Sequence, residues 1–185
     1  MATNLSELPA DLPVPQDDGA AKHLPGMKVP PINLASTDGT SVDLAALEGR
    51  WVIYVYPMTG QPGVPLPDGW DGIPGARGCT PQSCAFRDHF TELQALKTGV
   101  FGLSAQTTEY QREVRDRLHL PFQLVSDAEL LLKQHLQLPT FKVAGMELYK
   151  RLTLVVVDGK VDQVFCPVFP PDQSADQVLS YLRQG

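Results

Sequence analysis

Cysteine is scarce in this 185-residue chain, which holds only Cys79, Cys84 and Cys166. Three is too few and too odd a number for a disulfide framework, so redox chemistry or metal binding is the better reading of them. Basic residues are in the minority as well: 15 Lys and Arg stand against 21 Asp and Glu, a net charge of −6. That balance lacks the electropositive footprint of a nucleic-acid binder. Long hydrophobic runs are missing, since the longest, 51–56 and Leu152–Val157, cover six residues each against the roughly 18 needed to cross a bilayer. The N-terminus shows no basic stretch followed by an apolar one, so no secretory signal is visible. Together these absences predict a cytoplasmic protein with no nucleic-acid or membrane partner. Internal repeats are lacking, and the four histidines, His23, His89, His119 and His135, share no spacing or motif.

What is present is the composition of one globular domain, 43% hydrophobic and 19% charged, long enough to bury a sizeable core. Residues 1–28 carry Pro9, Pro13, Pro15 and Pro25 beside the acidic pair Asp17-Asp18, a mix that builds neither helix nor ladder and predicts an extended arm. Residues 29–185 then form a single domain. A small hairpin is expected around the turn 37–40, and the run 51–56, β-branched or aromatic nearly throughout, predicts a central strand covered on both faces. Between residues 58 and 78 lie six glycines and four prolines with no helical or strand period, a long loop of the kind that tends to be functional.

After the loop, Phe86, Phe90, Leu93 and Leu96 recur at helical spacing, predicting an amphipathic helix with Thr80 as its cap, Pro81 in its first turn and an end near Gly99. Strands follow at 100–103 and 122–125, with a helix marked by Tyr110, Val114 and Leu118 between them. A short helix is expected at 129–134, and the stretch 138–150 is ambiguous. Leu152–Val157, Asp158-Gly159 and Lys160–Phe165 predict a hairpin closed by a two-residue turn, and Val178, Leu179 and Leu182 a last helix. Strands alternating with helices, and a hairpin near the end, argue an α/β fold: a central mixed sheet flanked by helices on both faces.

Cys79 stands at the junction of the Gly-rich loop and the helix, where unpaired backbone N–H groups and the positive end of the helix dipole favour a thiolate, the attacking form. Cys84 lies five residues on, in the same helix. Five residues are a rise of about 7.5 Å and a turn of about 140°, beyond the roughly 4.4–6.8 Å that a disulfide allows between Cα atoms. The two sulfurs can bond only if the first helical turn unwinds.

The string Tyr56-Pro57, followed by Gly78-Cys79-Thr80-Pro81-Gln82-Ser83-Cys84-Ala85-Phe86-Arg87-Asp88, resembles the peroxiredoxins, and within them the bacterioferritin-comigratory or Q-type group of atypical two-cysteine enzymes. The resemblance runs from about Met27 to Leu182, taking in 120–127 and Arg151 at the head of its strand. It implies a thioredoxin-like fold and a thiol-dependent peroxidase. Cys79 would attack hydrogen peroxide or an organic hydroperoxide and become a sulfenic acid, and Cys84 would condense with it to a redox disulfide. Thioredoxin or a similar dithiol would then reduce the disulfide. The resemblance places Arg151 beside Cys79, to stabilise the thiolate and the charge on the leaving oxygen. It calls for no metal or organic cofactor, and allows monomer or homodimer. Where the group carries Thr or Ser three residues before the attacking cysteine this chain has Ala76, and Pro57 lies 22 residues upstream of Cys79. A long insertion therefore splits the motif, and Thr59, just after Pro57, takes the hydroxyl role. Gln82 stands where many of the group have Glu, and its amide can still donate or accept.

Rival readings are a thioredoxin-type thiol-disulfide oxidoreductase, a structural zinc site, and a non-catalytic thioredoxin-fold module. The first wants Cys-x-x-Cys, which is absent. The second would use Cys79, Cys84, His89 and Cys166, but two ligands would share one helix five residues apart, without a second Cys/His pair. Cys166, continuing the 160–165 strand, reads as a small buried hydrophobe.

Overall fold

The alternation of β-branched and aromatic residues from 51 to 56 decides the architecture, because it gives one strand two apolar faces to cover. The computed structural model, which describes residues 3–185, arranges nine strands. They are β1 (Asn33–Ser36), β2 (Ser41–Asp43), β3 (Arg50–Val55), β4 (Thr98–Ser104), β5 (Leu124–Ser126), β6 (Thr140–Val143), β7 (Met146–Tyr149), β8 (Leu152–Val157) and β9 (Lys160–Phe165). Seven make one mixed sheet in the order β2-β1-β5-β4-β3-β8-β9, with β3 parallel to β4 and antiparallel to β8. Helices are α1 (Cys79–Asp88), α2 (Phe90–Ala95), α3 (Thr108–Leu118), α4 (Leu131–Leu136) and α5 (Ser174–Leu182).

Successive residues of β3 feed different layers. Val52, Tyr54 and Tyr56 pack with Phe86, Leu93, Val114 and Val178, from α1, α2, α3 and α5. Ile53 and Val55 pack on the other face with Leu132 and Leu136 of α4, and with Leu34 and Leu44. Phe86 is fully buried and stacks on Tyr54 at 4.5 Å, burial worth about 1.5–3 kcal/mol, which pins α1 to the sheet. The mixed sheet with flanking helices is the fold that the sequence predicts. Among the described residues, no helix is long and apolar enough to cross a membrane.

Two local expectations are corrected, and one ambiguous stretch is resolved. The helix expected to run from Thr80 to near Gly99 is two helices, parted at His89 (φ −100°, ψ 7°). The His89 ring is held between Glu92 (2.6 Å) and Asp176 of α5 (3.2 Å), and the kink leaves Phe90 near Phe122, 5.7 Å away. The cap is Gly78 rather than Thr80, which already lies inside the helix. The ambiguous stretch 138–150 is a hairpin of β6 and β7, outside the main sheet. It packs against the Gly/Pro-rich loop: Leu148 and Phe141 join Trp70, Ala76, Ile73 and Leu66 in a separate apolar cluster. Of the arm, residues 1 and 2 lie outside the described residues. The rest holds no helix and only one isolated bridge, at Lys28, yet Ala21 and Leu24 are buried in the core.

Candidate active site

Cys79 is the first residue of α1, and Gly78 before it sets the approach. Gly78 has φ 111°, and a Cβ there would come within 2.4 Å of Pro171 and 2.9 Å of Leu8, so only glycine fits. The Cys79 side chain is 3% exposed. Its Sγ lies 3.1 Å from Nη2 of Arg151 and 3.8 Å from the Ala76 carbonyl, to which the thiol donates.

Arg151, directly before β8, is 4% exposed, and among the described residues no carboxylate pairs with it. Its guanidinium donates instead to oxygens that carry no net charge. Nε reaches the Gly75 carbonyl (3.3 Å), Nη1 the Gln82 side-chain oxygen (2.5 Å), and Nη2 the carbonyls of Ala76 (3.0 Å) and Arg77 (3.3 Å). A buried cation without a counter-ion is costly. An anionic sulfur at Cys79 offsets that cost, and the first N–H groups of α1 act in the same sense. Gln82, fully buried, passes the network on by donating from Nε2 to Ser174 Oγ (3.2 Å), which in turn lies 3.4 Å from Thr153 Oγ1.

The structure thus brings Cys79, Arg151 and Gln82 together. Thr59 is fully buried, but its hydroxyl donates to the side-chain oxygen of Gln106 (3.1 Å), and its backbone N–H and carbonyl bond the same amide. No hydrogen bond joins it to Cys79 or Arg151. Thr80 borders the small cavity at Cys79. Pro57 is buried at the end of β3, its carbonyl accepting from Ser104 (3.2 Å). Cys84 is half-buried in α1 beneath a surface concavity shared with Leu8, Pro81 and Asp88, and burial pushes its thiol up, against the pull of Arg87.

All three cysteines are free thiols. Cys166 is half-buried and lines a cavity of about 260 Å³ together with Pro15, Ile73, Phe141 and Arg151. Burial, followed by the charges of Asp17 and Asp18, pushes its thiol up to about 11. Cys79, Cys84, His89 and Cys166 do not converge: among the described residues, no three His, Cys, Asp or Glu side chains are grouped to hold a metal.

Several participants escape the sequence reading. The carbonyls of Gly75, Ala76 and Arg77 carry no side-chain signal. Gln106, Ser174 and Thr153 reach the site only through tertiary contacts. Arg77 holds the arm, donating from Nη2 to the carbonyls of Asn4 (2.7 Å) and Glu7 (3.5 Å) while pairing with Asp71 (3.0 Å).

The redoxin family pattern matches residues 24–179. Among curated proteins, chloroplastic peroxiredoxin Q of Sedum lineare is 28% identical over 167 residues, covering 88% of this chain and 80% of that protein. Peroxiredoxin bcp1 of Schizosaccharomyces pombe is 35% identical over 105 residues, covering 55% of this chain and 46% of that protein. Among solved structures, peroxidoxin BcpB of Mycobacterium tuberculosis superposes with a TM-score of 0.70 at 25% identity, covering 88% of this chain and 98% of that one. With a buried cysteine at a helix start beside an unpaired arginine, and with these relatives, the chain belongs to the redoxin family and to its peroxiredoxin Q/bcp branch.

Proposed function

We propose that this protein reduces peroxides at Cys79, with 29–185 as the catalytic domain, and that the guanidinium of Arg151 is the counter-ion of both thiolate and transition state. Thiol-dependent peroxidase activity is what the peroxiredoxin Q and bcp relatives imply. The single observation that carries the assignment of roles is the 3.1 Å contact between Cys79 Sγ and Arg151, a buried cation without a carboxylate.

In this reading the thiolate attacks the terminal peroxide oxygen. An S–O bond forms as the O–O bond breaks, and the departing oxygen takes a proton and leaves as water or an alcohol. Negative charge moves from sulfur toward the leaving oxygen, and the Arg151 N–H donors facing the sulfur stabilise it along the way. Cys84 then displaces the sulfenic hydroxyl, making the disulfide and releasing water. Both cysteines lie within the continuous helix α1, so this step needs the first turns of α1 to unwind. Unwinding breaks the bonds from Arg151 to Gln82 and from Tyr54 to Ser83 (3.1 Å). It also draws Cys84 off the apolar surface that holds its thiol up, so the motion that brings Cys84 to Cys79 makes it easier to ionise. An external dithiol, thioredoxin or one of its kind, reduces the disulfide by exchange. Thr59, tied to Gln106, holds the loop after β3 in place and serves the site through that loop.

The test is Cys84→Ser. The variant should consume one equivalent of hydrogen peroxide and leave a sulfenic acid on Cys79 that dimedone traps, while wild type ends as a Cys79–Cys84 disulfide detected by mass. Undiminished steady-state turnover of Cys84→Ser with thioredoxin, its reductase and NADPH would remove Cys84 as the resolving thiol.

A further inference from the structure

The cavity at Cys79 is small. It measures about 10 Å³, room for a single water, and among the described residues its walls include Leu5, Met58, Leu66, Trp70 and Thr80. Two of these walls, Leu5 of the arm and Leu66 of the Gly/Pro-rich loop, meet over Gly60. A Cβ on Gly60 would lie 2.6 Å from Leu5 Cδ2 and 3.2 Å from Leu66 Cδ2. The leucine of the arm and the leucine of the loop are therefore packed directly on that backbone.

The two sides are anchored differently. The loop side is built in: Trp70 is 3% exposed and packs with Ala76, Leu148 and Phe141 of the β6–β7 hairpin. The arm side has no helix or strand over residues 3–10. It is held by Arg77 on the carbonyls of Asn4 and Glu7, with Leu8 set against Gly78. One jaw is fixed, and the other is a strap clamped two residues before the reactive cysteine.

We propose that Leu5 and Leu66 form a gate that sets the substrate class, admitting hydrogen peroxide to Cys79 and excluding hydroperoxides with branched or aromatic bodies. The inference rests on the peroxidase reading above. Hydrogen peroxide exceeds water by one oxygen, so a small shift of Leu5 admits it. A cumyl group brings a ring and two methyls, which cannot enter unless the whole strap lifts. The cavity of about 260 Å³ beside Arg151 could hold such a body, but Cys79 is not among its lining residues. A hydroperoxide seated there does not present its O–O bond to the sulfur.

Two measurements on the full chain test the gate. Wild type should show a kcat/KM for hydrogen peroxide at least roughly tenfold above that for cumene hydroperoxide, and Leu5→Ala and Leu66→Ala should each narrow the ratio several-fold. The second readout needs no peroxidase activity. With Cys84 and Cys166 both replaced by serine, iodoacetamide should alkylate Cys79 much faster than fluorescein maleimide does, and Leu5→Ala should speed the bulky reagent more than the small one. Equal rates with the two peroxides in wild type, or a bulky reagent that keeps pace with iodoacetamide, overturns the gate. A wild-type protein that reduces neither peroxide overturns the peroxidase reading instead, and the alkylation ratio then decides the gate by itself.

Discussion

Cys79 and Cys166 are both near Arg151, and their surroundings are opposite. Cys79 is almost wholly buried, yet its sulfur touches a guanidinium and stands at the start of a ten-residue helix. Cys166 is only half-buried, yet burial first, then the charges of Asp17 and Asp18, push its thiol up to about 11 against the pull of Lys150. If exposure decided reactivity, Cys166 would be the working thiol. The contrast teaches that exposure does not by itself mark a reactive thiol: direct contact with a guanidinium and a place at a helix start set Cys79 apart, whereas burial leads the causes that push the Cys166 thiol up.

The largest expected effect follows directly. Cys79→Ser should lower kcat/KM for hydrogen peroxide by at least ~1000-fold, since a hydroxyl in that place does not ionise near neutral pH and leaves no nucleophile. Steady-state consumption with a thioredoxin system measures it. A variant within tenfold of wild type would mean that peroxide reacts elsewhere and would erase the distinction between the two thiols. Next comes Arg151→Met, which keeps a long apolar stem and removes the charge. Peroxide attack should slow by roughly 10- to 100-fold, measured as the second-order rate with hydrogen peroxide. Arg151→Lys should restore only part of the rate. An ammonium carries the charge, but it lacks the planar fork that reaches Gly75, Ala76, Arg77 and Gln82 while still facing the sulfur. Rates unchanged in both variants would take Arg151 out of the site.

How far such a site can be read from sequence depends on whether its parts are local. The β8–β9 hairpin is legible because pattern and turn sit within fourteen residues, and Asp158 and Gly159 take the positive φ values that the turn needs. Cys79 is legible because a Gly-rich loop meeting a helix start is a local signal. The place of Arg151 came only with the family resemblance, because nothing near it in sequence points across to residue 79. Thr59 shows the limit. Its position after Pro57 suggested a hydroxyl aimed at the cysteine, but 59 and 106 are brought together by the sheet, and the Gln106 amide bonds three of Thr59's atoms. The same holds for residues 138–150. Their pattern is too weak for a strand in the main sheet, and it makes sense only once Trp70 of the inserted loop is seen to need Phe141 and Leu148 as a floor. For the arm, proline and acid predict an extended chain and rule out regular structure, but they do not rule out packing: Leu5, Leu8 and Pro15 each lie against a glycine of the loop.

The smallest effect is the one that sharpens the comparison most. Cys166→Ser should leave peroxide turnover within about twofold of wild type, because Cys166 makes no hydrogen bond in the network around Cys79. Its chemistry can still be read by alkylation. A thiol pushed up to about 11 from the 9.0 of an ordinary cysteine has about 100-fold less thiolate at neutral pH, and the sign is fixed by the cause: burial and the nearby aspartates disfavour the anion. The rate of iodoacetamide labelling at Cys166, followed by peptide mass in a Cys79→Ser, Cys84→Ser background, should therefore rise about tenfold per pH unit from 7 to 10 without levelling. The slope, not the absolute rate, is the measure, since steric cover lowers the rate equally at every pH. Levelling below pH 9 would show that Cys166 ionises like an ordinary cysteine, and the contrast with Cys79 would then have to rest on contact with Arg151 alone.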